Sequence, residues 1–280
     1  MSQSVNVADL FQNAGQDGLL SPGSVHALTN DPNLGGRIQR ALGGPVTSVG
    51  SDEVILLGAM YDDSGSISSA GNTQNIRDGH SLVKKAFQDS KQKNNVFMLI
   101  RLLNGKVIAS FVPLDIAPDL DDTNYDEMSF GGTPLYDESW DFLAAMVAEA
   151  ERYRQEMNIT ARTISLITSD GMDEHSRKHR NPAALKQFIL DLNASEDHIV
   201  AGLGVQHRRV NFYDVFGQEM GIEDKWILTP KSDPHDIRKA FQVFSMTAVR
   251  MSQSGALFSQ AKQGGFTGSQ AAFGGFGGTP

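Results

Sequence analysis

The chain has 280 residues, 40% hydrophobic and 20% charged, the balance of a globular protein rather than a disordered one. Its 24 Lys and Arg against 33 Asp and Glu give a net charge of −9, a poor match to a nucleic-acid backbone, and the absence of cysteine excludes disulfides, cysteine-ligated zinc, iron–sulfur clusters and a thiol nucleophile. No apolar run approaches the roughly 18 residues of a membrane span, and the opening MSQSVNVADLF lacks the basic and apolar regions of a signal peptide, so the expectation is a soluble, cytoplasmic protein.

Residues 1–50 read as a helical N-terminal extension. Leu10 and Phe11 suit a short amphipathic helix, Ser21-Pro22 is a helix-start pair, and Val25 with Leu28, then Ile38 with Leu42, suit two more. Residues 51–254 alternate strand-like and helix-like segments. The run 54–60 is a continuous apolar stretch of strand length, as expected for a central strand buried on both faces. A Ser/Gly loop follows, then a helix over 73–91 with Ile76, His80, Val83 and Phe87 at helical spacing. Two strand-like runs, 95–103 and 106–113, are joined by Asn104-Gly105, a strong hairpin signal. Residues 134–157 read as a long helix with Thr133 as its N-cap and Pro134 at its first position. Next come a strand at 163–168, a helix from Pro182 capped by Asn181, a strand at 199–205, a helix at 212–220, a short strand at 226–229 and a last helix from Asp233-Pro234. Trp140 and Trp226 read as core residues. Residues 255–280 are a Gly/Phe-rich, low-complexity stretch expected to be a flexible tail, whose Phe258, Phe266, Phe273 and Phe276 could act as stickers for a partner or a neighbouring copy.

This alternation predicts an α/β fold: a doubly wound, mostly parallel six-stranded sheet with one antiparallel edge strand and helices on both faces. Ligands in such sheets bind at the carboxyl ends of the strands, where strand order reverses.

Three segments converge on that edge. The first strand runs into Asp62, Ser64 and Ser66, spaced D-x-S-x-S. Phe130-Gly131-Gly132-Thr133-Pro134 puts a threonine hydroxyl at the mouth of the long helix, and Thr168-Ser169-Asp170-Gly171 puts a carboxylate at the end of the next parallel strand. All the donors are oxygens, which favours a hard cation such as Mg²⁺ or Mn²⁺ over zinc.

Together these segments resemble the von Willebrand factor A domain family over residues 51–254. The family's metal-ion-dependent adhesion site combines D-x-S-x-S, a threonine in a G-G-T-P-like segment and an aspartate in an [S/T]-D-G segment. The resemblance implies that Ser64 and Ser66 ligate Mg²⁺ (Mn²⁺ or Ca²⁺ as substitutes), Thr133 directly or through water, with Asp62 and Asp170 holding waters or binding directly. It also implies one open position for a carboxylate of a partner protein. Thr168 departs from the family's usual apolar strand residue, and a one-residue register slip there would turn Asp170 away from the site. The chain is similar to the intracellular bacterial stand-alone members, which act as adaptors for AAA+ ATPases, chelatase-like machines or stress-response and tellurite-resistance systems.

Around this centre the loop 115–130 carries Asp115, Asp119, Asp121, Asp122, Asp126 and Glu127 without a basic residue, and its spacing does not fit an EF-hand. Opposite it stand two basic loops, with Arg177, Lys178 and Arg180 in one and Arg208 and Arg209 in the other. The expected rim is bipolar, adding specificity and association rate for a protein partner. His175 and His179 are at zinc-like spacing, but in a loop with no third ligand evident. Three functions follow as expectations: a non-enzymatic Mg²⁺-dependent protein-binding adaptor, a self-assembling protein using the metal face and tail, and a metal-dependent phosphohydrolase built on Asp62 and Asp170. No general base stands out for the last. Nucleic acid and membrane are not expected partners.

Overall fold

The computed structural model describes residues 6–47, 49–126, 132–205 and 210–266. The apolar run forms β1 (Glu53–Tyr61), buried from Val54 onward because it lies inside a six-stranded sheet with helices on both faces. The sheet also contains β2 (Val96–Leu102), β3 (Val107–Pro113), β4 (Thr160–Ser169), β5 (His198–Gly204) and β6 (Ile227–Leu228), in the order β3-β2-β1-β4-β5-β6. Only the β2–β3 pair is antiparallel, turning at Asn104-Gly105, where Gly105 takes φ +86°. From β1 the chain moves outward to β2, then returns on the other side to β4. Strand order therefore reverses between β1 and β4, and a crevice opens at their carboxyl ends.

Alternation along β1 assigns its faces. Gly58 faces α6 (Leu135–Met157), where an added Cβ would sit 2.5 Å from Met146 Sδ and 2.7 Å from Phe142 Cζ. Tyr61 points the other way, its ring 5.6 Å from His80 on α5 (Thr73–Gln88) and 6.5 Å from Phe241 on α8 (Pro234–Ser252). The short α7 (Ala183–Ala194) lies beside α6, with Phe188 5.5 Å from Trp140 edge to face. Trp140 and Trp226 are buried.

The N-terminal helices α1 (Val7–Gln16), α2 (Pro22–Thr29) and α3 (Leu34–Leu42) form a further layer, α1 and α3 on α6 and α2 on α7. Charged bonds fasten it. Arg37 of α3 pairs with Asp141 of α6 at 2.8 Å, and Asp31 accepts from Arg37 and from Trp140 Nε1 at 2.9 Å. Arg152 of α6 donates to the Leu42 and Gly44 carbonyls, satisfying the end of α3.

Several elements differ from the sequence expectation. The long helix begins at Leu135 with Pro134 as its N-cap residue and no side-chain cap, so Thr133 does not cap it. The helix expected at 212–220 is a π-type segment, Tyr213–Glu219, and the last strand shrinks to two residues. The tail needs a correction from residue 255 to 266, for it begins with a helix, α9 (Gly255–Gly264), capped by Ser254 Oγ on the Leu257 N–H. Phe258 and Phe266 are buried against this chain itself. Phe258 lies under Arg162, and Phe266 meets Trp226 edge to face at 5.0 Å. Lys262 donates to the carbonyls of Leu192 and His198. Burial of two aromatic rings offsets the ordering entropy that composition suggested the segment could not meet. Phe273 and Phe276 lie outside the described residues.

Phe266→Ala is expected to cost about 3 kcal/mol by loss of buried ring contacts, seen as a lower urea midpoint; an unstructured tail would show no change. A second expectation concerns pH. Burial holds His198 down to about 3, with Lys262 and Arg154 adding to the effect, and burial holds His80 down to about 4, both from an ordinary 6.5. Folded-state values below the unfolded one mean that the unfolded chain binds more protons between about 6.5 and 4. Stability contributed by these two groups is therefore lost as pH falls through that window. His198→Gln should lose less stability than wild type between pH 7 and pH 5, measured by urea unfolding.

Candidate metal centre

The D-x-S-x-S loop leaves the end of β1 at the reversal point and turns into α4 (Gly65–Ser69). Asp62 is wholly buried there and holds both sides of the crevice. Its Oδ1 accepts the Ser64 N–H at 2.8 Å, and its Oδ2 accepts Ser169 Oγ at 2.8 Å and the Asp170 N–H at 3.3 Å. One carboxylate therefore joins the β1 loop to the end of β4. Ser64 Oγ and Ser66 Oγ stand 2.9 Å apart, and Ser66 Oγ donates to Asp170 Oδ1 at 2.8 Å. The predicted quartet Asp62, Ser64, Ser66 and Asp170 is thus one connected cluster. The register Met60↔Ile167 and Ser169↔Gly204 carries Asp170 into it despite Thr168, whose buried hydroxyl finds no hydrogen-bond partner among the described residues.

Thr133, also buried, stands just ahead of α6. Its N–H donates to His175 Nδ1 at 3.0 Å, and its carbonyl accepts from the N–H groups of Glu174 and His175 at 3.0 and 3.3 Å.

Two supports escaped the sequence reading. Tyr125, buried in the acidic loop, donates its hydroxyl to the Asp62 carbonyl at 2.5 Å. Burial, then the negative fields of Asp62, Asp63 and Asp170, push that phenol well above its usual range. Asp137, in the first turn of α6, accepts the backbone N–H groups of Arg177, Lys178 and His179, and it stays below the usual carboxylate range because these bonds outweigh its partial burial. A lone tyrosine in an acidic loop was the available signal for the first; nothing in the local sequence pointed to the second.

The donor chemistry fits a hard divalent cation. Burial pushes the Asp62 carboxyl up, against the hydrogen bonds that lower it, and every donor it meets is electrically neutral. A carboxylate desolvated in this way gains from a nearby cation. Ser64 and Ser66 hydroxyls and the Asp170 carboxylate are the oxygen groups that could hold one, and Thr133 is tied through Glu174 and His175 to the loop that follows Asp170. The histidines do not form a zinc pair: His175 is engaged with Thr133, while His179 stacks on Trp140 at 4.5 Å.

The rim is less bipolar than the sequence suggested. Asp122 pairs with Arg77, Asp119 with Lys84, and the exposed Asp121 closes its own turn on Thr123. Asp126 is exposed. Arg177, Lys178 and Arg180 present exposed side chains, and Arg177 and Arg180 make no ion pair among the described residues. A cleft of about 380 Å³ runs along residues Asp173 to Arg180 of this loop. Glu127, Arg208 and Arg209, like Phe130 and Gly131, lie outside the described residues.

No protein-family model matches the sequence, and no curated protein matches it. Solved structures of proximal thread matrix protein 1 from the mussel byssus are similar, one of them described as having a zinc-occupied MIDAS motif. Identity is 13–14%, TM-scores are 0.45–0.46, and the matches cover 70–72% of this chain. The chain spans about half the length of those proteins, 46–48%. Likeness this distant says nothing about what this chain binds.

Tyr125→Phe should destabilise the fold by about 1–2 kcal/mol, because it strips a buried carbonyl of its donor. Urea unfolding of the two proteins checks this, and equal midpoints would remove Tyr125 from the support of the site.

Proposed function

We propose that the chain is a protein-binding module that depends on a divalent cation, of the von Willebrand factor A type. The observation that carries this reading is the hydroxyl–carboxylate cluster of Ser64, Ser66 and Asp170 built on the buried Asp62 at the sheet's reversal point. Ser64, Ser66 and Thr133 would hold the ion, preferably Mg²⁺, with Asp62 and Asp170 holding its waters or binding it directly. The ion would supply an electrophilic position for a carboxylate of the partner. Few direct anionic ligands leave it undercompensated, so an incoming Asp or Glu adds charge that the chain itself withholds.

The rest of the face bears on the partner. Asp137 pins the backbone of the loop that carries the exposed Arg177, Lys178 and Arg180, while two carboxylates of the acidic loop, Asp122 and Asp119, are paired with Arg77 and Lys84. This favours a partner that brings acidic residues beside the metal-binding one. An AAA+ ATPase or a stress-system component in the cytoplasm is the class of partner that the family resemblance suggests. A binding role is favoured over phosphate-ester hydrolysis because the carboxylates of the cluster are engaged in holding the loops, not poised as bases.

Mg²⁺ at tenfold its dissociation constant should add about 1.4 kcal/mol of stability, or roughly 3–5 °C in melting temperature. Asp62→Ala should abolish that increment. A pull-down in Mg²⁺ and in EDTA, with Asp62→Ala alongside, tests the binding itself. A partner set that responds to neither change would contradict the reading.

A further inference from the structure

We propose that His175 is a positioning residue of the candidate metal centre, clasping the Thr133 peptide so that the threonine hydroxyl is held in place. The proposal rests on the metal reading above. It begins from a deficiency in α6, whose N-cap residue, Pro134, offers no side-chain cap to the first N–H groups of the helix. The loop after β4 supplies what is missing. Asp173 Oδ1 accepts the Tyr136 N–H at 3.2 Å, and Ser176 Oγ accepts the Asp137 N–H at 2.9 Å while donating to Asp173 at 2.5 Å. Asp137 answers by accepting the N–H groups of residues 177–179. Loop and helix start are therefore locked to each other from both directions.

His175 sits in the middle of this lock and grips the residue just upstream. Backbone N–H groups of Glu174 and His175 reach the Thr133 carbonyl, and the imidazole reaches the Thr133 N–H through Nδ1 at 3.0 Å. Because Nδ1 accepts, the neutral ring carries its proton on Nε2. Gly132 makes the approach feasible, since a Cβ at that position would stand within the imidazole. The two backbone contacts do not involve the imidazole, so leucine or asparagine at position 175 keeps both N–H donors. Only the contact to the Thr133 N–H depends on the side chain. An asparagine can offer Oδ1 in place of Nδ1, and a leucine of similar bulk cannot.

The experiment uses the full chain as wild type, His175→Leu and His175→Asn. Exchange of the Thr133 amide is followed by NMR in EDTA, and Mn²⁺ binding is measured by calorimetry. His175→Leu is expected to speed Thr133 exchange at least about tenfold and to weaken Mn²⁺ about tenfold, the usual effect of losing a group that orients a metal ligand. His175→Asn should recover most of both. Unchanged exchange and affinity in His175→Leu would overturn the proposal, as would equal losses in both variants, which would show that the acceptor atom is not what holds Thr133. Should His175→Leu fail to fold, His175→Gln replaces it, its acceptor one bond too far out and its expected losses the same. A wild-type chain that does not bind Mn²⁺ would overturn the metal reading itself, and this proposal with it, whatever the variants do.

Discussion

A carboxylate buried between two parallel strand ends must be fully hydrogen-bonded or neutralised, and the architecture around Asp62 follows from that requirement. One oxygen takes the backbone of the loop leaving β1; the other takes the side chain and backbone ending β4. These bonds fix where Ser64, Ser66 and Asp170 stand, and they hold the two strands in register at the point where the sheet's winding reverses. Tyr125 then closes over the Asp62 carbonyl, and Arg77 fastens Tyr125 by donating to its carbonyl. An acidic loop that looks like a solvated rim in sequence is thus also a strap beneath the site.

The scaffold serves this crevice from both sides. Gly58 lets α6 lie close on β1, and Thr133 directly precedes that helix. The start of α6 is itself fixed twice. The loop after β4 caps it, and the N-terminal layer grips it through Arg37, Asp31, Asp141 and Trp140. Trp140 stacks on His179 of that same loop, so residues far upstream of the sheet reach the neighbourhood of Thr133 through continuous contacts. That makes the N-terminal helices structural partners of the site's mouth, beyond simply covering α6 and α7.

The sheet was legible in the sequence because its elements carry strong local signals. The apolar run at β1, Asn104-Gly105 between β2 and β3, and the helical spacing of Ile76, His80, Val83 and Phe87 each point to one structure. The cluster of Asp62, Ser64, Ser66 and Asp170 was legible because the loop spacing and strand order already place those groups on one edge. What could not be read depends on tertiary partners. Thr133 looked like a helix cap by its position before proline, yet the cap comes from Asp173 and Ser176, about forty residues on. Composition argued against order beyond residue 255, but Phe258 and Phe266 find Arg162 and Trp226, which no local pattern announces. Likewise, the charges on Asp122 and Asp119 are answered by Arg77 and Lys84 of α5, a pairing that the acidic sequence of the loop does not announce.

The proposed binding face depends on a divalent cation received over Asp62 by the hydroxyls of Ser64, Ser66 and Thr133. Its most direct test is a crystal structure grown with Mn²⁺ and measured at an energy where manganese scatters anomalously. An anomalous peak is expected about 2.1 Å from both serine hydroxyls, with Asp62 and Asp170 bonded to the ion or to its waters. Serine hydroxyls still bonded to each other and to Asp170, with no peak between them, would contradict it.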